Sequence, residues 1–137
     1  IKTNNIQTMT NQKYTVLYID DEEINLLLFK STFRRDFDIF TASSAMQGLK
    51  ILEQQHIDVV VTDQRMPEMT GVELLKVINT KFPEIPPSRL IVSGFALNED
   101  IEEAFNHYNL FKFIPKPWNA DTLKKVIIDS IHENHGK

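Results

Sequence analysis

Three carboxylates set the chemistry open to this chain. Asp63 ends the β-branched run Val59-Val60-Val61-Thr62, and the Pro- and Gly-punctuated stretch Gln64-Arg65-Met66-Pro67-Glu68-Met69-Thr70-Gly71 follows it. That is how a strand buried on both faces ends and delivers one acid to the edge of a sheet. Asp20 and Asp21 end a second such run, Val16-Leu17-Tyr18-Ile19. Later apolar runs end in other polar groups: Ser93 after Leu90-Ile91-Val92, and Lys116 after Phe113-Ile114-Pro115. Carboxylates are hard oxygen ligands suited to Mg²⁺ or Mn²⁺. Lysine is a point charge suited to phosphate oxygen. A carboxylate can also be the nucleophile that takes up a phosphoryl group. Together these types point to metal-assisted phosphoryl transfer.

The chemistry requires that residues far apart in sequence converge, so the elements that carry them matter. The pattern predicts strands over 14–19, 37–41, 57–62, 90–93 and 110–114. Between and after them it predicts helices over 22–34, from Ser43 or Ser44 as cap, over 72–82, over 98–107 with Asn98 as cap, and from about Asn119. The expected inward stripes are Ile24, Leu27, Leu28 and Phe33; Ala45, Met46, Leu49 and Leu52; Leu74, Leu75 and Ile78; Ile101, Ala104 and Phe105; and Leu123, Val126, Ile127 and Ile131. Pro83-Glu84-Ile85-Pro86-Pro87 must break the third helix. Regular strand–helix alternation means right-handed crossovers and a parallel sheet covered on both faces. Ligands of such sheets bind outside the carboxyl ends of the strands, where strand order reverses. The expected fold is α/β, a flavodoxin-like (βα)5 three-layer sandwich with a five-stranded parallel sheet of order 2-1-3-4-5. In that order the strands ending in Asp20-Asp21 and in Asp63 are neighbours, and Ser93 and Lys116 reach the same rim.

Composition narrows the class. The chain has 137 residues, enough for one domain with a proper core. It has no cysteine, so no disulfide framework and no thiolate metal site, which suits a cytoplasmic setting. No apolar run approaches the ~18 residues of a membrane span. The net charge of -4 argues against nucleic-acid binding by this domain. Residues 1–12 are polar and aperiodic and read as a flexible leader, with Met9 a candidate native start, and 13–137 as the folded domain.

At Ile19-Asp20-Asp21-Glu22, Asp63 to Gly71, Val92-Ser93-Gly94 and Lys116-Pro117, the chain resembles the response-regulator receiver domains of two-component signalling, the CheY-like superfamily. The likeness runs from about Tyr14 to His132. It implies that Asp63 is the phosphoacceptor and that Asp20 and Asp21 hold the metal with Asp63 and the backbone carbonyl of Arg65. It implies further that Ser93 and Lys116 bind the phosphoryl group, that Ser93 and Phe113 are the switch residues, and that the bond before Pro117 is cis. The donor would be a sensor histidine kinase or phosphotransfer protein. The output would leave through the face of the fourth helix, fifth strand and fifth helix. The domain would catalyse its own phosphorylation and hydrolysis and no separate reaction. Arg65 and Phe95 would flank the path of the hydrolytic water and affect the lifetime of the phosphoryl group. Trp118, where Phe is commoner, is similar to receivers joined to cyclic-dinucleotide phosphodiesterase or sensor-kinase modules.

Each residue has a plainer use. Asp20 or Asp21 can cap the first helix, beside Glu22 and Glu23. Ser93-Gly94 suits a tight turn, and Phe113 suits core. The aromatic set Phe105, Tyr108, Phe111, Phe113 and Trp118 is mostly packing, with an exposed subset open to a partner. His56, His107, His132 and His135 read as solvated. Two rival functions remain: a degenerate receiver used as a dimerisation or interaction module, and an aspartyl-nucleophile phosphatase. The first requires a damaged acid pair, acceptor or lysine. The second requires an acid two residues after Asp63, where this chain has Arg65.

Overall fold

A computed structural model describes residues 13–86, 88–94 and 98–135. The leader, Pro87, Phe95 and the side chain of His135 lie outside the described residues. The elements alternate as β1 (Thr15–Ile19), α1 (Glu23–Phe33), β2 (Asp38–Ala42), α2 (Ala45–Gln54), β3 (Val59–Asp63), α3 (Gly71–Lys81), β4 (Arg89–Ser93), α4 (Glu99–His107), β5 (Leu110–Pro115) and α5 (Ala120–His135). The strands are parallel, in the order β2-β1-β3-β4-β5. This is the flavodoxin-like α/β sandwich expected from the alternation. Element bounds differ from the expected ones by no more than about two residues, the usual scatter of element ends.

Each sheet face carries its own core. Val16, Tyr18, Val59, Val61, Leu90 and Val92 pack beneath α1 and α5. Leu17, Ile19, Val60 and Ile91 pack beneath α2, α3 and α4. The central strands β3 and β4 are buried along their whole length, as double-sided cover demands. Side-chain caps start α2, α3 and α4. Ser44, rather than Ser43, accepts from the Gln47 N–H, and Asn98 accepts from that of Ile101. Thr70 and Glu73 form a capping box that the sequence reading passed over.

Three expected stripes need correction. On α1 the buried residues are Leu26, Phe29 and Phe33. Ile24, Leu27 and Leu28 instead stand 69%, 62% and 54% exposed. The helix has two apolar stripes, and the larger aromatic one wins the core because it buries more surface. Met46 on α2 and Phe105 on α4 are exposed as well, and Gly48 faces inward in place of Met46. The aromatic set expected around β5 is divided by the sheet: Tyr108 and Phe113 pack on one face, Phe111 and Trp118 on the other.

At the amino edge of the sheet, Arg89 is 1% exposed. Sequence reasoning does not bury an arginine, and it began this strand one residue later. Its guanidinium donates to Asn79 Oδ1 (3.1 Å), to the Tyr108 carbonyl (3.3 Å) and to the Ile85 carbonyl (2.9 Å). Among the described residues no carboxylate pairs with it, and burial lowers its pKa to about 10, so it stays charged near neutrality. Tyr108 is the C-cap of α4, and Ile85 lies just past the end of α3. The cation thus ties the C-cap of α4 to Asn79 in the last turn of α3 and to the loop that follows that helix. Arg89→Ala should lower unfolding stability by about 3 kcal/mol, the scale of a core cavity with carbonyls left unpaired. Urea melts read this directly, and a loss under about 1 kcal/mol would refute the role.

Candidate functional site

Register brings the polar residues together. Asp20 follows β1, Asp63 closes β3 opposite Val92, Ser93 closes β4 opposite Pro115, and Lys116 follows β5. All lie at the carboxyl edge, where β1 and β3, adjacent in the sheet, lead to crossovers on opposite faces. One carboxylate oxygen from each of Asp20, Asp21 and Asp63 lies within 4.8 Å of the others. Lys116 Nζ stands 2.9 Å from Asp20 Oδ2 and 3.4 Å from Asp63 Oδ2. The Lys116–Pro117 bond is cis, as the resemblance implied.

Asp20 is buried and heavily hydrogen-bonded. Its Oδ2 accepts from Tyr18 Oη (2.9 Å), Asn25 Nδ2 (3.1 Å) and Lys116 Nζ (2.9 Å). Its Oδ1 accepts from the Glu22 N–H at 2.9 Å, so Asp20 also serves the start of α1. Glu22, the N-cap itself, makes no side-chain cap bond. Asp21 is exposed at the rim. Asp63 is 7% exposed, and its Oδ1 accepts from the Gln64 N–H at 2.8 Å.

Electrostatics follow from this crowding. Burial raises the Asp63 carboxyl above the ordinary aspartate range; the Lys116 charge opposes that shift, and the Asp20 charge adds to it. Burial alone would lower Lys116, but its hydrogen bond to Asp20 and the charges of Asp20 and Asp63 raise it on balance, so it remains an ammonium. Tyr18 is pushed up by burial first and by the Asp20 charge second, so its hydroxyl keeps its proton.

The loop after Asp63 is pinned by Gln64. Its buried side chain accepts from the Val72 N–H at 2.9 Å, and its carbonyl accepts from the Gly71 N–H at 2.9 Å. A Cβ on Gly71 would fall 2.6 Å from the Asp63 carbonyl oxygen, so the start of α3 approaches the end of β3 as closely as only glycine allows.

Ser93 is buried at the neighbouring strand end, and its carbonyl accepts from the Lys116 N–H at 2.8 Å. Arg65 is an exposed side chain two residues past Asp63. Phe113 is half-buried against the cluster that includes Ile91, Ile101 and Ala104, on the α4 side of β5. Tyr18, Asn25 and Gln64 were overlooked. For Tyr18 a signal existed: residues i and i+2 of a strand share a face, so a phenol two before a buried acid points the same way.

Comparison with known proteins defines the family. The response regulator receiver domain model matches residues 16–128, and the chain belongs to that family. The hydrogenase transcriptional regulatory protein HoxA of Cupriavidus necator is 36% identical over 125 residues, which is 91% of this chain and 25% of that protein. The HoxA of Bradyrhizobium diazoefficiens is 32% identical over 117 residues, covering 85% of this chain and 24% of that protein. The chain therefore spans about a quarter of the length of these relatives. A signal receiver domain of an HD domain-containing protein from Pseudomonas fluorescens Pf-5 superposes with a TM-score of 0.84 at 22% identity, over 92% of this chain and all of that one, and supports the fold.

The raised Asp63 has a consequence for stability. A carboxyl whose folded pKa exceeds its unfolded one favours folding below the unfolded pKa, and that advantage is lost as pH rises through the folded pKa. At pH 7 the charged Asp63 therefore carries a net cost to folding. Asp63→Asn should unfold at higher urea than the parent at pH 7 in chelator, and the gap should close as pH falls through the folded pKa of Asp63. An equal or lower midpoint at pH 7 would contradict the electrostatic account.

Proposed function

We propose that this domain takes a phosphoryl group onto Asp63 from a phosphohistidine of a sensor histidine kinase or phosphotransfer protein, and relays it as a conformational change. The reading is carried by one observation: an ammonium, Lys116, shared at 2.9 and 3.4 Å between Asp20 and Asp63 at the carboxyl rim. The donor set fits a divalent cation, because three hard carboxylates converge within 4.8 Å and leave a net negative charge beside one lysine. Asp20, Asp21 and Asp63 would hold Mg²⁺ or Mn²⁺, with the backbone carbonyl of Arg65 as the further ligand suggested by family membership. When bound, the cation supplies positive charge against the phosphoryl oxygens.

The rest of the chemistry belongs to the chain. A carboxylate oxygen of Asp63 bonds to phosphorus as the P–N bond to the donor imidazole breaks, and the imidazole keeps the electron pair and gains a proton from solvent. Lys116 is placed to follow a phosphoryl oxygen, exchanging its contact with Asp63 for one with the new group. The Ser93 hydroxyl closes on another oxygen, and Phe113 moves with it, altering the α4, β5 and α5 face for an output partner. Hydrolysis returns Asp63 to its carboxylate. The domain acts on itself and on no separate substrate. Such a role places it in the cytoplasm, and no helix among the described residues is long and apolar enough to cross a membrane.

The exposed stripe of α1 supplies a docking face for the donor. Leu28 joins Asn25, Lys116, Pro117 and Trp118 in lining a groove of about 290 Å³. An apolar surface therefore runs from Ile24 and Leu27 to the lysine that handles the phosphoryl group, where a delivering protein must sit.

Acetyl phosphate with Mg²⁺ should label the parent chain, while chelator or Asp63→Asn should abolish labelling; a labelled Asp63→Asn would move the acceptor elsewhere. Leu28→Glu should slow transfer from a phosphorylated kinase about tenfold, the scale of one interface anchor. Labelling by acetyl phosphate should be unchanged in that variant, and equal slowing of both reactions would remove the docking role.

A further inference from the structure

Tyr18 lies outside the family's acidic and lysine motifs, yet its hydroxyl donates to Asp20 Oδ2 at 2.9 Å from a fully buried position. A carboxylate has about four lone-pair sites. Asp20 already receives four donors: Tyr18, Asn25 and Lys116 on Oδ2, and the Glu22 N–H on Oδ1. With two sites on each oxygen, the three donors more than fill Oδ2, while Oδ1, with one donor among the described residues, retains a lone pair that can face a cation. Which way that lone pair points depends on what fixes the plane of the carboxylate.

The donors on Oδ2 differ in rigidity. Lys116 hangs on a long flexible stem with a side chain 21% exposed, and Asn25 is half-buried on α1. The Tyr18 ring, in contrast, lies flat on Phe29, with centroids 4.1 Å apart and planes 2° from parallel. Phe29 is itself held by Phe33 at 4.9 Å and by Trp118 edge-on at 6.1 Å. The phenol is the one side-chain donor to Asp20 that is anchored in close-packed core.

We propose that Tyr18 is a positioning residue for the cation site: its hydroxyl, held by the aromatic stack beneath α1, fixes the Asp20 carboxylate so that Oδ1 faces the metal. The inference deepens the phosphoacceptor reading and rests on it. The partners that orient a ligating side chain commonly govern metal affinity by ten- to a hundredfold. Removing the hydroxyl leaves the Asp20 charge in place and takes away its fixed reference. The cation must then order the carboxylate itself, and it binds more weakly.

The test is calorimetric titration of Mg²⁺ into the parent, Tyr18→Phe and Asn25→Ala, each also melted without metal. Tyr18→Phe keeps the ring and its stacking, so the apo melting temperature should move little while the Mg²⁺ Kd rises about tenfold. Asn25→Ala removes a peripheral donor to the same oxygen and should shift Kd in the same direction by less. A Tyr18→Phe Kd within twofold of the parent, with the parent binding Mg²⁺ normally, overturns the positioning role and leaves the phosphoacceptor reading standing. A parent chain that binds no Mg²⁺ overturns both.

Discussion

A single ammonium holds two buried like charges side by side. Asp20 and Asp63 end adjacent strands inside the protein's surface, where the dielectric no longer hides their repulsion. Lys116, 2.9 Å from one and 3.4 Å from the other, makes that arrangement tolerable. It arrives from β5, the edge strand two places from β3. The site therefore exists only while three strand ends keep their register. Burial raises the Asp63 carboxyl against the pull of Lys116, and three carboxylates beside one lysine leave an excess of negative charge that a divalent cation could relieve.

The site and the core beneath it share material. Tyr18 belongs at once to the packed face under α1 and α5 and to the hydrogen bonds of Asp20. Gln64 belongs at once to the turn after Asp63 and to the start of α3. Rigid packing is thereby transmitted to groups whose chemistry needs placement to within fractions of an ångström. The opposite edge is tied by another buried cation, Arg89, between the ends of α3 and α4. α4 is thus anchored at its carboxyl end.

α1 shows the tension between folding and binding most plainly. Its two apolar stripes cannot both face the sheet. Phe29 and Phe33 enter the aromatic stack, and Ile24, Leu27 and Leu28 remain in solvent beside the rim. Exposed aliphatic surface on one face of a helix adds nothing to the buried core, and the aromatic stripe alone closes this face of the sheet.

Much of this was legible in the residues. Strand–helix alternation shows the layers and the parallel sheet, because apolar period and turn chemistry are local properties, while the strand order came with the resemblance to the receiver family. Asp20, Asp21, Asp63, Ser93 and Lys116 were legible as a set because each ends an apolar run, and all parallel strands end at the same edge. What local pattern could not settle was competition: which stripe of α1 goes inward, whether Arg89 is buried, and which way Trp118 and Phe113 turn. Those outcomes depend on what each side chain meets from elements distant in the chain. The identities of the candidate site groups were written in the sequence. Their orientation, down to the phenol that holds Asp20, was decided only when the sheet brought Tyr18, Asn25 and Lys116 onto one oxygen atom.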